Sequence, residues 1–353
     1  MDIRPLLRPN YDCYASLIHS FGKSVGKGHE LAFLSRWSFV WQAYGGRLAR
    51  SGIGRNLLNN YSVDATTLEE VHGITIVPLR VAELDAAIQM IAEQVRSGAP
   101  IVVCVTVPHC PWHPLFERSG GSHFIMITGQ SREGMWSIVD PTYSLERLTM
   151  TNDQLRSALY GPWRPEFWAG ETSNFELMAV LKSTLPQRRP DAVKHALRSA
   201  MQSKAIVSMA ESMHECAEAL RSIRSSSEWE LEWADVTPGI SHTKYIPLIF
   251  HLRTIEWNRR NFSEAVRYAE PEVGISGLAD AATRLIQIAT GWETVRLTLM
   301  KNAVSGFVVD RVEFAADQID NIAAAECEAF NELGRLVGVE SGERVLPVTT
   351  TLQ

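Results

Sequence analysis

The hydrophobic period of the chain changes at Leu185-Pro186-Gln187-Arg188-Arg189-Pro190, and that change limits the architecture more than any single motif. Upstream, short β-rich runs alternate with helical stretches. Downstream, residues 191–225, 244–269 and 278–338 carry long helical periodicity, with one short strand signal at 346–350. A chain of 353 residues has room for two domains. The expected division is an α+β domain over 1–184, a linker over 185–190 and a mostly α-helical domain over 191–353.

Within the first part, residues 13–22 read as a helix ending near Gly22, and the aromatic-rich stretch 29–48 as a second helix built for core packing. A short helix is expected near 55–60 and another from Asp64 or Thr66 as cap. Ile74–Leu79 reads as a strand, Glu83–Ser97 as an amphipathic helix and residues 175–181 as the last strand. The run Pro100-Ile101-Val102-Val103-Cys104-Val105-Thr106-Val107 lacks alternation, which is the pattern of a strand covered on both faces. A loop over 108–121 separates it from two apolar runs, 123–128 and 135–140, joined by Gly129-Gln130-Ser131-Arg132-Glu133-Gly134. That arrangement is a hairpin, and a helix near 151–159 follows it.

Chemistry enters with Cys13. It follows the polar turn Asn10-Tyr11-Asp12 and opens the first helix, where unpaired backbone N–H groups and the helix dipole favour thiolate. His123 opens one hairpin strand and Asp140 closes the other. With the turn centred between Ser131 and Arg132, the two face each other across the hairpin. Asp140 would then hold one ring nitrogen of His123 and leave the other for Cys13, the logic of a nucleophile–base–orienter triad. Cys110 is the rival nucleophile but has no helix N-terminus. Cys104 reads as a small buried apolar residue. Asn10 and Tyr11 are candidates for binding an oxyanion beside the Cys13 N–H, with a plain turn or cap role as the alternative for Asn10. Trp112 and Phe116, in the proline-stiffened loop, are candidates for apolar cover over substrate. His109, Cys110 and His113 lie close in sequence but lack a second pair at zinc-site spacing, so no metal is expected.

Charged residues make up 21% of the chain and the formal charge is −6, which argues against nucleic acid or an anionic membrane as the main partner. No apolar stretch approaches the ~20 residues of a membrane span. The N-terminus lacks a signal-peptide pattern, and five scattered cysteines do not form a disulfide framework. A cytoplasmic location is therefore expected. Arg188, Arg189, Lys194 and Arg198 read as a solvated helix face, with attraction of an acidic protein as the alternative.

Several features together resemble the N-terminal family of the butirosin biosynthesis protein H, a papain-like or transglutaminase-like group. They are Asp12-Cys13 at a helix start, the aromatic stretch after it, Ala99-Pro100-Ile101-Val102-Val103, the proline-containing loop, Ser122-His123-Phe124-Ile125-Met126-Ile127-Thr128-Gly129, and Ile138-Val139-Asp140-Pro141. The resemblance covers about residues 8–180 and rests on order and context. It implies an acyltransferase of natural-product assembly. An acyl group would leave a carrier-protein phosphopantetheine thioester, load onto Cys13 and pass to an amine or hydroxyl acceptor. The expected partners are an acyl or peptidyl carrier protein and a small acceptor, with a homodimer as a candidate assembly. No cofactor is expected, pantetheine serving only as the donor's arm. The bacteriocin-exporter peptidases of the same fold class carry a Gln several residues before the Cys; positions 5–9 here are Pro-Leu-Leu-Arg-Pro. The alternatives are a cysteine peptidase, amidase or thioesterase with the same triad, and a non-catalytic protein-binding scaffold.

Overall fold

A computed structural model of the chain describes residues 2–42, 53–58, 63–79, 81, 83–118, 121–160, 178–184, 190–202, 206–233 and 246–339. By its internal contacts the chain divides into two compact units. One comprises Met1–His29 and Ala65–Arg188, the other Glu30–Asp64 and Arg189–Gln353. The change of period near 185–190 thus coincides with a boundary. The expected domain over 1–184 needs correction, because residues 30–64 belong with the helical unit.

The first unit is α+β. Its helices are α1 (Cys13–Ser24), α2 (Ala65–His72), α3 (Leu84–Arg96) and α4 (Asn152–Tyr160). Its strands are β1 (Ile74–Leu79), β2 (Ile101–Thr106), β3 (Ser122–Gln130), β4 (Trp136–Val139), β5 (Leu148–Met150) and β6 (Met178–Ser183). They form one six-stranded antiparallel sheet in the order β1-β6-β2-β3-β4-β5. β2 lies between β6 and β3 with all six residues buried, which is why its sequence lacks alternation. Ile101, Val103 and Val105 of β2 and Ile125 and Ile127 of β3 share one core with Ala87, Ile91 and Val95 of α3 and Leu155 and Ala158 of α4. Side chains of opposite parity turn to the other face, where the Phe124 ring meets Tyr14 of α1 edge-on at 5.2 Å.

α1 is anchored by that face. Leu17, Ile18 and Phe21 are wholly buried, each stabilising by about 1.5–3 kcal/mol. Just past the helix, Lys27 Nζ donates to Gly73 O at 2.6 Å and also to Thr184 O, tying the chain to the start of β1 and the end of β6. Burial holds the Lys27 ammonium below its usual range.

The hairpin departs from the expected register. Ile127 pairs with Ile138 and Met126 with Val139, while Gly129 pairs with Ser137, so the register shifts at Thr128. The turn is centred on Glu133. Ser131 N–H donates to Met135 O, and the Ser131 hydroxyl accepts from Glu133 and Met135 N–H. Gly134 supplies the left-handed backbone at φ 80°. His123 and Asp140 are therefore diagonal neighbours, two residues out of direct register, rather than an opposed pair.

In the second unit, the aromatic stretch is not the long helix expected over 29–48. Glu30–Arg36 forms a 3-10 helix, and Val40–Trp41 pairs antiparallel with Leu57–Leu58. Trp37, Phe39 and Trp41 are buried while Ser38 and Val40 are not, the period of an extended chain. Residues 43–48 of the expected helix lie outside the described residues, as does the strand signal at 346–350. The expected helix near 55–60 is a 3-10 turn at Gly54–Asn56 running into Leu57–Leu58. The helical part follows expectation: α5 (Pro190–Gln202), α6 (Ile206–Arg221), α7 (Pro247–Val273), α8 (Leu278–Ser305) and α9 (Val309–Val337). Arg198 Nε caps the last turn of α9 by donating to Val337 O at 2.7 Å, so it is not part of a free basic face. No helix among the described residues is long and apolar enough to cross a membrane.

Candidate active site

Asp12 sets the start of α1. Its backbone is extended and its Oδ1 accepts from Ala15 N–H at 2.8 Å, which makes Cys13 the first helical residue. Cys13 is half-buried, whereas Cys104, Cys110 and Cys216 are fully buried. The α1–β3 contact through Tyr14 and Phe124 brings the adjacent residues, Cys13 and His123, to one another. Cys13 lies close enough to His123 for its charge to favour the protonated ring.

His123 Nε2 lies 2.9 Å from Asp140 Oδ2. Nδ1 is the ring nitrogen left for Cys13. Asp140 is wholly buried and follows the last residue of β4. Thr142 N–H donates to its Oδ1 at 3.2 Å, and Ser144 N–H to its backbone O at 2.9 Å. The turn after the strand thus lets Asp140 reach diagonally to His123. Burial is the largest single influence on the imidazole and disfavours its charged form. The Cys13 charge, the hydrogen bond the ring gives to Asp140, the nearness of Cys13 and the Asp140 charge together outweigh it and push His123 up to about 10. The three residues singled out in the sequence are therefore brought together.

The rival thiols are not poised in this way. Cys110 is buried, its Sγ donates to Thr106 O at 3.7 Å, and burial with the nearby Asp140 charge pushes it up to about 12. Cys104, beneath α1, is pushed up to about 12, chiefly by burial and then by the Cys13 charge. Both are thiols at neutral pH.

The weaker candidates fare unequally. Asn10 adopts left-handed backbone at φ 72°, a conformation Asn tolerates, inside a turn closed by Tyr11 N–H to Arg8 O. Tyr11 is buried and its hydroxyl lies 3.1 Å from His29 Nε2, which in turn meets His19 Nδ1 at 3.2 Å. Its hydroxyl links the chain before α1 to the chain after it. Phe116 is half-buried and its N–H donates to His113 O. Trp112 does not simply cover the site: its indole N–H donates to Asp140 Oδ2 at 2.7 Å.

Sequence reasoning missed two neighbours of the imidazole. The Tyr143 ring lies edge-on to His123 at 5.2 Å and to His113 at 4.2 Å, and His113 sits 5.7 Å from His123. Tyr143 could have been suspected from Asp140-Pro141-Thr142-Tyr143, since an Asx turn after the strand carries its third residue back over the site. His113 gives Nδ1 to Leu115 N–H and Cys110 faces Thr106 O, while His109 is exposed, so these three do not converge on a common point. No protein-family model matches the chain, and no curated protein matches it.

Proposed function

We propose that the α+β unit is a papain-like cysteine acyltransferase that moves an acyl group from a carrier-protein thioester, through a Cys13 acyl-enzyme, to an amine or hydroxyl acceptor. The observation that carries this reading is one imidazole hydrogen-bonded to a buried carboxylate and neighbouring a helix-start thiol whose charge acts on it. A ring raised to about 10 stays protonated at neutral pH, which supplies the acid that a departing thiolate needs. The choice of transfer and of a carrier-bound donor comes from the resemblance to the butirosin biosynthesis family.

In this reaction Cys13 Sγ attacks the thioester carbonyl carbon, and the carbonyl electrons move to oxygen. The Cys13 backbone N–H, at the first helical position, is a donor for that oxyanion. Collapse breaks the donor carbon–sulfur bond, and the His123 imidazolium gives its proton to the departing pantetheine sulfur. The neutral imidazole then takes a proton from the incoming amine or hydroxyl as it attacks the acyl-enzyme. Cys13 leaves as thiolate and the ion pair is restored. Asp140 holds Nε2 throughout and does not itself need to be protonated. A cytoplasmic setting, where the thiol stays reduced, suits this chemistry.

Intact-protein mass spectrometry after incubation with acyl-pantetheine and acyl-carrier thioesters tests the proposal. An acyl mass increment that maps to Cys13 and is discharged by amines is the expected result. An adduct that persists in Cys13→Ala, or maps to Cys110, refutes the assignment. Release of free acid alone, across carrier-bound donors and a broad acceptor panel, makes the enzyme a hydrolase.

A further inference from the structure

Residues 107–118, in the loop between β2 and β3, form a chain of overlapping turns rather than a loose cover. Cys110 N–H donates to Val107 O, His113 to Cys110 O, Phe116 to His113 O and Glu117 to Pro108 O. Leu115 N–H donates to His113 Nδ1 at 3.0 Å, and Val107 N–H reaches across to Gly121 O. With Pro108, Pro111 and Pro114 fixing their own φ angles, the backbone at Trp112 has little freedom. Its indole is thereby delivered to Asp140 Oδ2 at 2.7 Å, within the range of a charge-assisted hydrogen bond.

From this geometry we infer that Trp112 is a positioning residue for the triad, acting through Asp140. Oδ2 has two lone-pair sites. His123 Nε2 occupies one at 2.9 Å and the indole N–H the other, while Oδ1 takes Thr142 N–H. Three donors from three directions fix the plane of the carboxylate, and that plane fixes the tilt of the imidazole toward Cys13. Without the indole, a wholly buried carboxylate lone pair has no partner. The carboxylate then turns to recover one, and its bond to His123 loosens. The opposite outcome is also physically defined. An indole N–H disperses carboxylate charge, so if Asp140 stayed in place without it, its hold on the imidazolium would strengthen. The direction of change in His123 therefore separates positioning from charge dispersal.

This inference rests on the triad reading, but its test reads His123 without requiring turnover. The titration of His123, followed by its ring nitrogen resonances, is compared in the native protein, Trp112→Phe and Trp112→Tyr. Phenylalanine keeps an apolar ring without a donor; tyrosine restores a donor. The expected result is a lower His123 midpoint in Trp112→Phe and recovery toward the native value in Trp112→Tyr. With a thioester substrate, kcat should fall about tenfold or more in Trp112→Phe with little change in KM, part of the 10²–10⁴ that a positioned base supplies. An unchanged or raised midpoint in a Trp112→Phe protein with native circular dichroism overturns the inference, as does a Trp112→Tyr protein no closer to native than Trp112→Phe. If Trp112→Phe does not fold, Trp112→Tyr decides: a native-like midpoint supports the inference and a displaced one overturns it. Absence of any Cys13 adduct in the native protein would instead count against the acyltransfer reading.

Discussion

Asp140 in the α+β unit and Glu326 in the helical unit are built by the same means and serve different ends. Both carboxylates are buried and both accept from indole N–H groups. Glu326 takes Trp37 and Trp292 at 3.1 and 2.9 Å, and a two-point contact from Arg259 through Nε and Nη2, both at 2.9 Å. Arg259 also donates to Ser38 O and lies over the Trp37 ring. Asp140 takes one indole and His123. The difference lies in the cation. A guanidinium cannot give up its proton in the working range, so Glu326 ties α7, α8 and α9 to Trp37 of the 30–64 segment through contacts that do not trade protons. An imidazole can, and its proton belongs to a set that includes a half-exposed thiol. In the proposed function, what sets Asp140 apart from Glu326 is a partner that can exchange a proton, not burial or hydrogen-bond count.

The sharpest contrast comes from the thiol end. Cys13→Ala should abolish both acyl-adduct formation and turnover while the fold, read by circular dichroism, stays native. Residual turnover above the uncatalysed rate would break the contrast. Next, His123→Ala should lower kcat by roughly 10²–10⁴-fold. Asp140→Asn should approach the upper end of that range, because an amide can present the wrong hydrogen-bonding group to Nε2. Near-native rates in both would reduce Asp140 to the structural role of Glu326.

Glu326→Gln should do the reverse. Breaking a buried ion pair by removing one charge costs about 3–5 kcal/mol, so denaturant midpoints should drop sharply while Cys13 in the surviving folded protein still acylates at the native rate. Loss of acylation without loss of stability would contradict the division of labour. The smallest effect is expected for Cys110→Ala. It removes a buried thiol packed in the sheet core, at a cost of about 1 kcal/mol, and should leave the adduct on Cys13 with turnover within about twofold.

How far these two carboxylates could be foreseen differs for a physical reason. Asp140 and His123 lie on neighbouring strands of one hairpin, so their meeting is a local matter of turn length. The expectation missed by two residues because Ser131 and Gly134 centre the turn on Glu133, and side-chain reach absorbed the error. Cys13 could be placed at a helix start because Asp12 caps it. Trp112's bond to Asp140 was hidden, since nothing in the sequence aims an indole N–H across 28 positions. The fate of residues 30–64 was hidden for the same reason. Trp37 bonds to a carboxylate 289 positions away, and aromatic spacing alone fits helix and strand alike. Local capping and strand pairing were legible, while polar partners drawn from distant elements were not.

The central claim is that Cys13 and Asp140 together hold the His123 ring protonated, and a difference titration tests it most directly. The ring nitrogen resonances of His123 are followed against pH in the native protein and after Cys13 is blocked as a neutral methyl disulfide. The native ring should stay protonated through neutrality and titrate at about 10. Because this lies above the usual imidazole value near 6.5, the protonated ring stabilises the fold fully below about 6.5 and loses that contribution as pH rises through about 10. Blocking Cys13 removes the thiolate charge, so the midpoint should move down toward neutrality. Equal midpoints in the two forms, or a native midpoint near 6.5, would contradict the account.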